Sequence, residues 1–312
     1  MPELPEVTVI VNGLNKKLKG LVLESIETDW PKKFYWGKYS IKDLKGTMVL
    51  GVRRLGKVVI VDLDRRLLSG AHSRSVPGRC YAHSGSETGG ISILIHLKLT
   101  GQLIYQDAKT RIAGGHPIPP LNQQVPNKTT RVIFAFVGGG HLYFNDMRKF
   151  GWVKIVESEE LKIKEAIGAE LGPDPLEISF DEFKKRLESR GQSRIKKLLM
   201  DQSFISGVGN IYSDEALWQA KIHPKRSAVS LSGNEIKELF EGIRDSLKLA
   251  IEKGGSSANA YVDSGGERGL YLSFAHAYHM TGKPCARCKT PIVREKIDGR
   301  SAHYCPNCQK LG

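Results

Sequence analysis

Apolar residues recur at helical spacing at the start of the chain. Val7, Ile10, Val11, Leu14 and Leu18 fall on one face of a helix that Lys19-Gly20 would end. The pattern then changes to short β runs. Met48-Val49-Leu50 and Val58-Val59-Ile60-Val61 read as strands on either side of Arg53-Arg54-Leu55-Gly56-Lys57. Ile91 to Leu99 is another, and Arg131 to Val137 with His141 to Phe144 forms a hairpin across Gly138-Gly139-Gly140. Many short strands with turn signals imply a β-sandwich or barrel. From about Leu161 the period becomes helical, with helices predicted over Phe180 to Leu187, Ile195 to Met200, Ile211 to Ala220 and Glu235 to Ile251. The chain is β-rich first and α-rich second. The segment around Glu157 to Pro175 joins the halves through the stiff turn Gly172-Pro173-Asp174-Pro175.

Two stretches interrupt this plan. Ser69 to Gly90 is rich in Ser, Gly and His, and Asp107 to Lys128 carries Pro117, Pro119 and Pro120; both read as mobile surface insertions. At 312 residues the chain has room for two cores. The 47 Lys plus Arg against 33 Asp plus Glu give a net charge of +14, which points to a polyanionic partner, nucleic acid before membrane. No apolar run approaches transmembrane length, and two glutamates among the first six residues argue against a signal peptide. A cytoplasmic location is expected. The five cysteines are an odd number for a disulfide framework, and four of them cluster at the far end.

Three places carry chemistry. Removal of Met1 would leave a Pro2 amine beside Glu3, with Glu6 near in sequence. With reference pKa values of about 7.7–8.0 for a terminal amine and about 10.4 for lysine, such an amine is far more often neutral at pH 7, and it can form an imine with an aldehyde carbon. A solvated tail is the alternative. Cys285-x2-Cys288 and Cys305-x2-Cys308, sixteen residues apart, have the spacing of a four-cysteine zinc ribbon; a redox dithiol or two disulfides are the competing readings. The residues between the pairs can form a hairpin with Asp298-Gly299 at its tip and Arg300 beside it, placed to meet a phosphate. Gly207-Val208-Gly209-Asn210 permits a tight turn whose amides, with the Asn210 side chain, suit a phosphate; an ordinary helix connection would use the same residues.

Taken in order, the pieces form a recognisable set. They are Met1 to Val7, Gly56-Lys57, His96-Leu97-x-x-Thr100-Gly101, Asn145-Asp146-x-Arg148-Lys149-Phe150-Gly151 and Leu171-Gly172-Pro173-x-Pro175-Leu176. They continue with Asp201-Gln202, Gly207 to Tyr212, His223-Pro224 and the ribbon ending Cys308-Gln309-Lys310. The chain resembles the formamidopyrimidine-DNA glycosylase family, whose sister branch is endonuclease VIII, from residue 2 to residue 310. The resemblance implies an α+β multidomain protein: an N-terminal β-sandwich with a leading helix over 1–155, a linker over 156–176, a helix-two-turn-helix DNA-binding bundle over 177–276 and a zinc finger over 277–312. It implies one structural zinc ion, held by Cys285, Cys288, Cys305 and Cys308. Damaged double-stranded DNA would be the partner of a monomer.

The implied activity is removal of an oxidised base followed by β- and δ-elimination. Pro2 would attack C1′ and form a Schiff base, Glu3 would donate the proton that opens the sugar ring, and Glu6 would support them. Lys57 would bind phosphate and serve elimination, Asn210 and Arg300 would grip phosphates, and Arg300 would also serve δ-elimination. Arg148 and Phe150 match two of the three residues that fill the gap left by an extruded base, and Leu99 stands where Met is usual. Core packing is the competing reading for Leu99 and Phe150.

Other positions depart from the family pattern. Thr129 replaces a DNA-contacting histidine, for which Lys128 or Arg131 could substitute. A lysine before the first helix of the DNA-binding module aligns near Gly191, with Arg190 and Arg194 as stand-ins. These changes touch DNA grip and base choice rather than the catalytic set. The expectation is a glycosylase and lyase for oxidised purines such as 8-oxoguanine and formamidopyrimidines. The alternatives are an endonuclease VIII-like preference for oxidised pyrimidines and a catalytically silent damaged-DNA-binding protein.

Overall fold

The computed structural model describes residues 2–64, 90–116, 118–168, 171–256, 261–262 and 269–311. The first half runs α1 (Leu4–Leu18), β1 (Leu23–Thr28), β2 (Phe34–Tyr35), α2 (Ile41–Leu44), β3 (Met48–Leu55), β4 (Val58–Asp64), β5 (Ile91–His96), β6 (Gly101–Gln106), β7 (Arg111–Gly115), β8 (Thr130–Phe136), β9 (His141–Asp146) and β10 (Trp152–Glu157). The second runs α3 (Glu160–Ile167), α4 (Phe180–Ser189), α5 (Ile195–Leu199), α6 (Asn210–Gln219), α7 (Gly233–Glu252), β11 (Tyr261–Val262), β12 (Val293–Ile297) and β13 (Arg300–Tyr304).

A six-stranded sheet in the order β1-β8-β9-β6-β7-β11 packs on a five-stranded sheet in the order β2-β10-β5-β4-β3. Their inner faces meet in one core, where Val59, Val61, Ile93 and Ile95 oppose Leu103, Phe134, Leu142 and Phe144. The helix α1 adds Val7, Ile10, Val11, Leu14 and Leu18 to that core, the face that its periodicity predicts. β4 is apolar on both faces for a physical reason. Its outer residues Val58 and Ile60, with Leu94 of β5, are covered by Ile163 of α3.

Two expectations need correction. The segment Arg53 to Leu55 is not part of a connection: it is the end of β3, and only Gly56-Lys57 forms the turn into β4. Asp107 to Lys128 is not a mobile loop throughout. It contains β7, which pairs with β6 (Ile104 opposite Ala113), and Ala113, Leu121 and Val125 form a small buried cluster with Ile104 and Tyr143. A five-residue strand that ends in Gly114-Gly115, just before a proline-rich stretch, leaves little pattern in a sequence. The other insertion, apart from Gly90, lies outside the described residues, as does Cys80.

The helical half has its own core around Phe183, Leu198, Phe204, Tyr212, Leu239 and Leu247. Ser179 caps α4 by accepting the Glu182 amide at 3.2 Å, and Ser232 with Glu235 forms a capping box on α7. The halves are sewn together at several points. Leu4 of α1 is fully buried in the helical core rather than the sandwich, and β11 returns to extend the first sheet beside β7. Arg54 of β3 reaches Asp174 of the linker at 2.6 Å while its Nε donates to Thr8 Oγ1 at 2.7 Å. The seam, residues 3–8, 54–57 and 206–212, holds the candidate residues Glu3, Glu6, Lys57 and Asn210.

Candidate active site

The site begins with close approach of backbone. The amide of Leu4 donates to the carbonyl of Gly207 at 3.0 Å, so the turn before α6 is fastened to the N-terminus. Gly207 has φ +91, and a Cβ there would lie 2.7 Å from the Leu4 side chain. A Cβ on Gly209 would sit 2.4 Å from the carboxyl carbon of Glu3. Both glycines of the turn are therefore required by what they touch.

Glu3 is buried, and its Oε1 accepts the amide of Ile211 in the first turn of α6 at 3.1 Å. Its Oε2 has no hydrogen-bond partner. Burial raises the Glu3 carboxyl above its ordinary value, against the opposing pull of Lys57 and the Ile211 amide. The carboxyl is thus biased toward the protonated form that a proton donor needs. Glu6 is held from three sides. Its Oε2 accepts the Glu3 amide at 2.8 Å, and its Oε1 accepts the Tyr212 hydroxyl at 2.6 Å and the Ser256 amide at 2.8 Å. Glu6 orients the start of α1; Glu3 is the one of the two that keeps a buried oxygen without a partner.

Lys57 follows Gly56 (φ +54) in the turn after β3, and its ammonium donates to the Val208 carbonyl at 2.8 Å. Gln202 donates to the same carbonyl at 2.8 Å and accepts the Gly207 amide at 2.9 Å. Burial lowers the Lys57 pKa below the usual lysine value, with Glu3 and Glu6 pulling the other way and Lys98 and Arg300 adding to the depression. His96 lies in the same field. Burial and the charges of Lys98 and Lys57 push its pKa down to about 3, so the ring is neutral. Its Nδ1 accepts the Lys98 amide at 3.0 Å, which leaves the proton on Nε2 as a donor.

Glu3, Glu6, Lys57 and the Gly207–Asn210 turn therefore converge, with Pro2 buried beside Glu3 in the chain, as their order in the sequence had no power to say by itself. Asn210 opens α6 with its Oδ1 buried and without a partner. Arg300 is exposed at the tip of the β12–β13 hairpin, where Asp298 (φ 48) and Gly299 (φ 79) make the turn. The contributions of Gln202, Tyr212, Ser256 and His96 were not legible. Each acts through a contact between distant segments, which no local spacing encodes.

The three wedge candidates sit on two turns. Leu99 is 37% exposed and Phe150 47% exposed, so neither is a core residue, and the Arg148 guanidinium lies over the Phe150 ring at 4.8 Å. The buried Asp146 carboxylate ties the turns together. Its Oδ1 accepts the Thr100 hydroxyl and, at 3.2 Å, the Arg148 amide, while Oδ2 accepts the Gly151 amide at 2.8 Å. Arg131 is not available to replace a DNA-contacting side chain at Thr129. It is buried and donates from Nε to the Asp146 carbonyl at 3.0 Å, whereas Lys128 is exposed. Arg190 and Arg194 form surface ion pairs with Asp201 (3.5 Å) and with Asp298 at the ribbon tip (3.0 Å), pairs weak enough to be exchanged for phosphate.

The sulfurs of Cys285, Cys288, Cys305 and Cys308 lie within 4.8 Å of one another. A tetrahedral zinc with bonds of about 2.3 Å needs sulfurs about 3.8 Å apart, so the set fits that ion with little movement. The ribbon is locked to α6. Asp214 accepts Lys196 Nζ at 2.5 Å and the His303 backbone amide at 3.1 Å, with His303 Nδ1 2.9 Å from the same carboxylate; Glu215 accepts the amides of His276, Ala277 and Tyr278. One short helix thus positions both Asn210 and the hairpin that carries Arg300.

Comparison with known proteins agrees along the whole chain. Residues 1–153 match the formamidopyrimidine-DNA glycosylase N-terminal domain, 171–262 its H2TH domain, and 282–311 the zinc finger found in FPG and IleRS. The formamidopyrimidine-DNA glycosylase of Pelotomaculum thermopropionicum is 38% identical over 100% of both chains, and that of Desulforamulus reducens 35% identical over 99% of each. Among solved structures, the complex of Lactococcus lactis Fpg with abasic-site DNA superposes with a TM-score of 0.79 at 28% identity, covering 99% of each chain. The chain belongs to the formamidopyrimidine-DNA glycosylase family, and is a base-excision DNA glycosylase with that family's four-cysteine zinc finger. Among the described residues no helix is long and apolar enough to cross a membrane.

Proposed function

We propose that the chain excises oxidised purines from duplex DNA with the Pro2 amine as nucleophile, once Met1 has been removed. The amine bonds to C1′ as the damaged base leaves. Glu3, whose carboxyl burial pushes above its ordinary value, gives a proton to the ring oxygen, the sugar opens, and a Schiff base joins Pro2 to the DNA. Lys57 then serves elimination of the flanking phosphates while Asn210 and Arg300 hold the backbone. Leu99, Arg148 and Phe150 occupy the space of the extruded base. We assign these acts to a monomer working on DNA in the cytoplasm.

The observation that carries this reading is the Glu3 carboxyl: buried, raised, with Oε2 unpartnered, next in sequence to Pro2 and in the electrostatic field of Lys57. Pure DNA binding has no use for such a group. Leu4 supports the purine branch, because it fills a pocket in the helical core that the glycine usual in endonuclease VIII-type starts would leave empty. One observation favours a second reading of substrate range, an endonuclease VIII-like preference: Lactococcus lactis Fpg has also been solved in complex with an oxidised pyrimidine containing DNA.

Borohydride trapping on matched duplexes carrying 8-oxoguanine or an oxidised thymine tests both. A trapped adduct on the 8-oxoguanine duplex that Pro2→Gly abolishes is the expected result. Preference for the thymine lesion would move the substrate class, and tight binding without any adduct would sink the catalytic reading.

A further inference from the structure

Trp218, in the last turn of α6, is buried with 8% of its surface exposed, and its indole Nε1 has no hydrogen-bond partner in the protein. Its ring is clamped on two faces. The His276 ring stacks at 4.2 Å and 17°, and the Arg287 guanidinium lies 3.9 Å from its centroid. Arg287 belongs to the knuckle between Cys285 and Cys288, and it also donates to the carbonyls of Trp218 and, at 3.2 Å, Gln219 at the end of α6. Trp218 shares a buried cluster with Cys285 and Cys305, with Cys285 the sulfur within reach of its N–H. A buried N–H without an acceptor is rare and costly. A thiol is a weak acceptor, whereas a metal-bound cysteine is a thiolate, and hydrogen bonds to ionised acceptors are the strong ones.

We propose that Trp218 supports the metal centre by donating its indole N–H to the Cys285 thiolate, so that the ion is joined through one side chain to the helix that begins at Asn210. The ion is not bound by Trp218; the residue fixes the orientation and charge of a ligand. Stacking alone would need an aromatic ring but no N–H.

The full-length protein loaded with an NMR-active cadmium isotope and isotope-labelled tryptophan tests this without DNA, so its failure would leave the glycosylase reading untouched. The Trp218 indole proton is expected to show scalar coupling to the metal, with Trp218→Phe supplying the assignment. In the cobalt form, Trp218→Phe keeps an aromatic ring between His276 and Arg287 but should move the thiolate-to-metal charge-transfer band to lower energy. It should also release zinc to a chelator about tenfold faster, the lower end of what outer-shell losses cost metal sites. Absence of the coupling in the wild-type protein overturns the proposal whatever the variant does, and that measurement stands even if the variant fails to fold.

Discussion

Lys57 of the β3–β4 turn donates its ammonium to the Val208 carbonyl at 2.8 Å, across the seam between the sandwich and the helical half. The bond places a cation from one half against the turn that α6 grows from in the other. Burial holds the Lys57 pKa below its ordinary value of 10.5. A folded-state pKa below the unfolded one contributes stability above pH 10.5 and loses it as pH falls through the folded value. At neutral pH the depressed pKa therefore weighs against folding. Lys57→Met should raise Tm, since Gln202 still satisfies the Val208 carbonyl, while strand cleavage at an abasic site falls about a hundredfold or more, the typical worth of a positioned acid or base. A lowered Tm in calorimetry would show that the ammonium is net stabilising.

Glu3 has the opposite sign. Its folded pKa lies above the ordinary value of 4.5, so its contribution to stability is complete below that pH and is lost as pH rises through the folded value. The wild-type protein should lose stability over that window relative to Glu3→Gln, whose amide does not titrate. Base excision by Glu3→Gln should drop by about a hundred- to ten-thousandfold, with DNA affinity kept. Parallel stability curves for the two proteins across mildly acid pH would contradict the raised pKa.

These two residues mark how far the sequence could be read. The N-terminal Pro-Glu pair, the lysine after Gly56 and the paired cysteines were legible because each is a local pattern with local chemistry. The face of α1 and the β8–β9 hairpin were legible because burial imposes a period. What escaped is long-range. Tyr212 on Glu6, Gln202 on Val208, and His96 in the field of Lys57 depend on segments far apart in sequence that meet only after the fold closes. β7 escaped for another reason: five residues ending in Gly114-Gly115 offer no alternation to read, and the strand is defined by β6 beside it. Arg131 looked free for DNA because basic residues usually are, yet its guanidinium is a buried strut beneath Asp146.

Asp146 leads to a prediction about the wedge. Its carboxylate bonds both the Thr100 hydroxyl and the amides of Arg148 and Gly151, so Leu99 and Phe150 are held in fixed relation before DNA arrives. Leu99→Ala and Phe150→Ala should each slow excision of 8-oxoguanine by about tenfold, a fraction of the few kcal/mol that unstacking one base step costs. Cleavage at a preformed abasic site should be spared, because no base has to leave the stack. Asp146→Ala should reproduce the double loss without removing either wedge. Equal losses on both substrates would mean that these residues serve general DNA grip.

Phosphate grip separates by charge. Arg300 is a cation on the exposed ribbon tip, whereas Asn210 is a neutral amide at the start of α6, and Asp214 and Glu215 keep the two in one frame. Each phosphate neutralised adds about 0.9 to the slope of log affinity against log salt. Arg300→Ala should therefore lower the slope by about that amount, while Asn210→Ala weakens binding at every salt concentration and leaves the slope alone. Zinc removal should exceed Arg300→Ala in its effect on the slope. The ribbon from Thr281 to Gly312 carries seven Lys or Arg against two acids, and its fold depends on a metal whose binding supplies about 10–16 kcal/mol in such small modules. Salt titrations of the wild type, the two variants and the zinc-free protein on one abasic duplex would separate these cases. A zinc-free slope equal to that of the wild type would take the ribbon out of the interface and leave Arg300 without a phosphate.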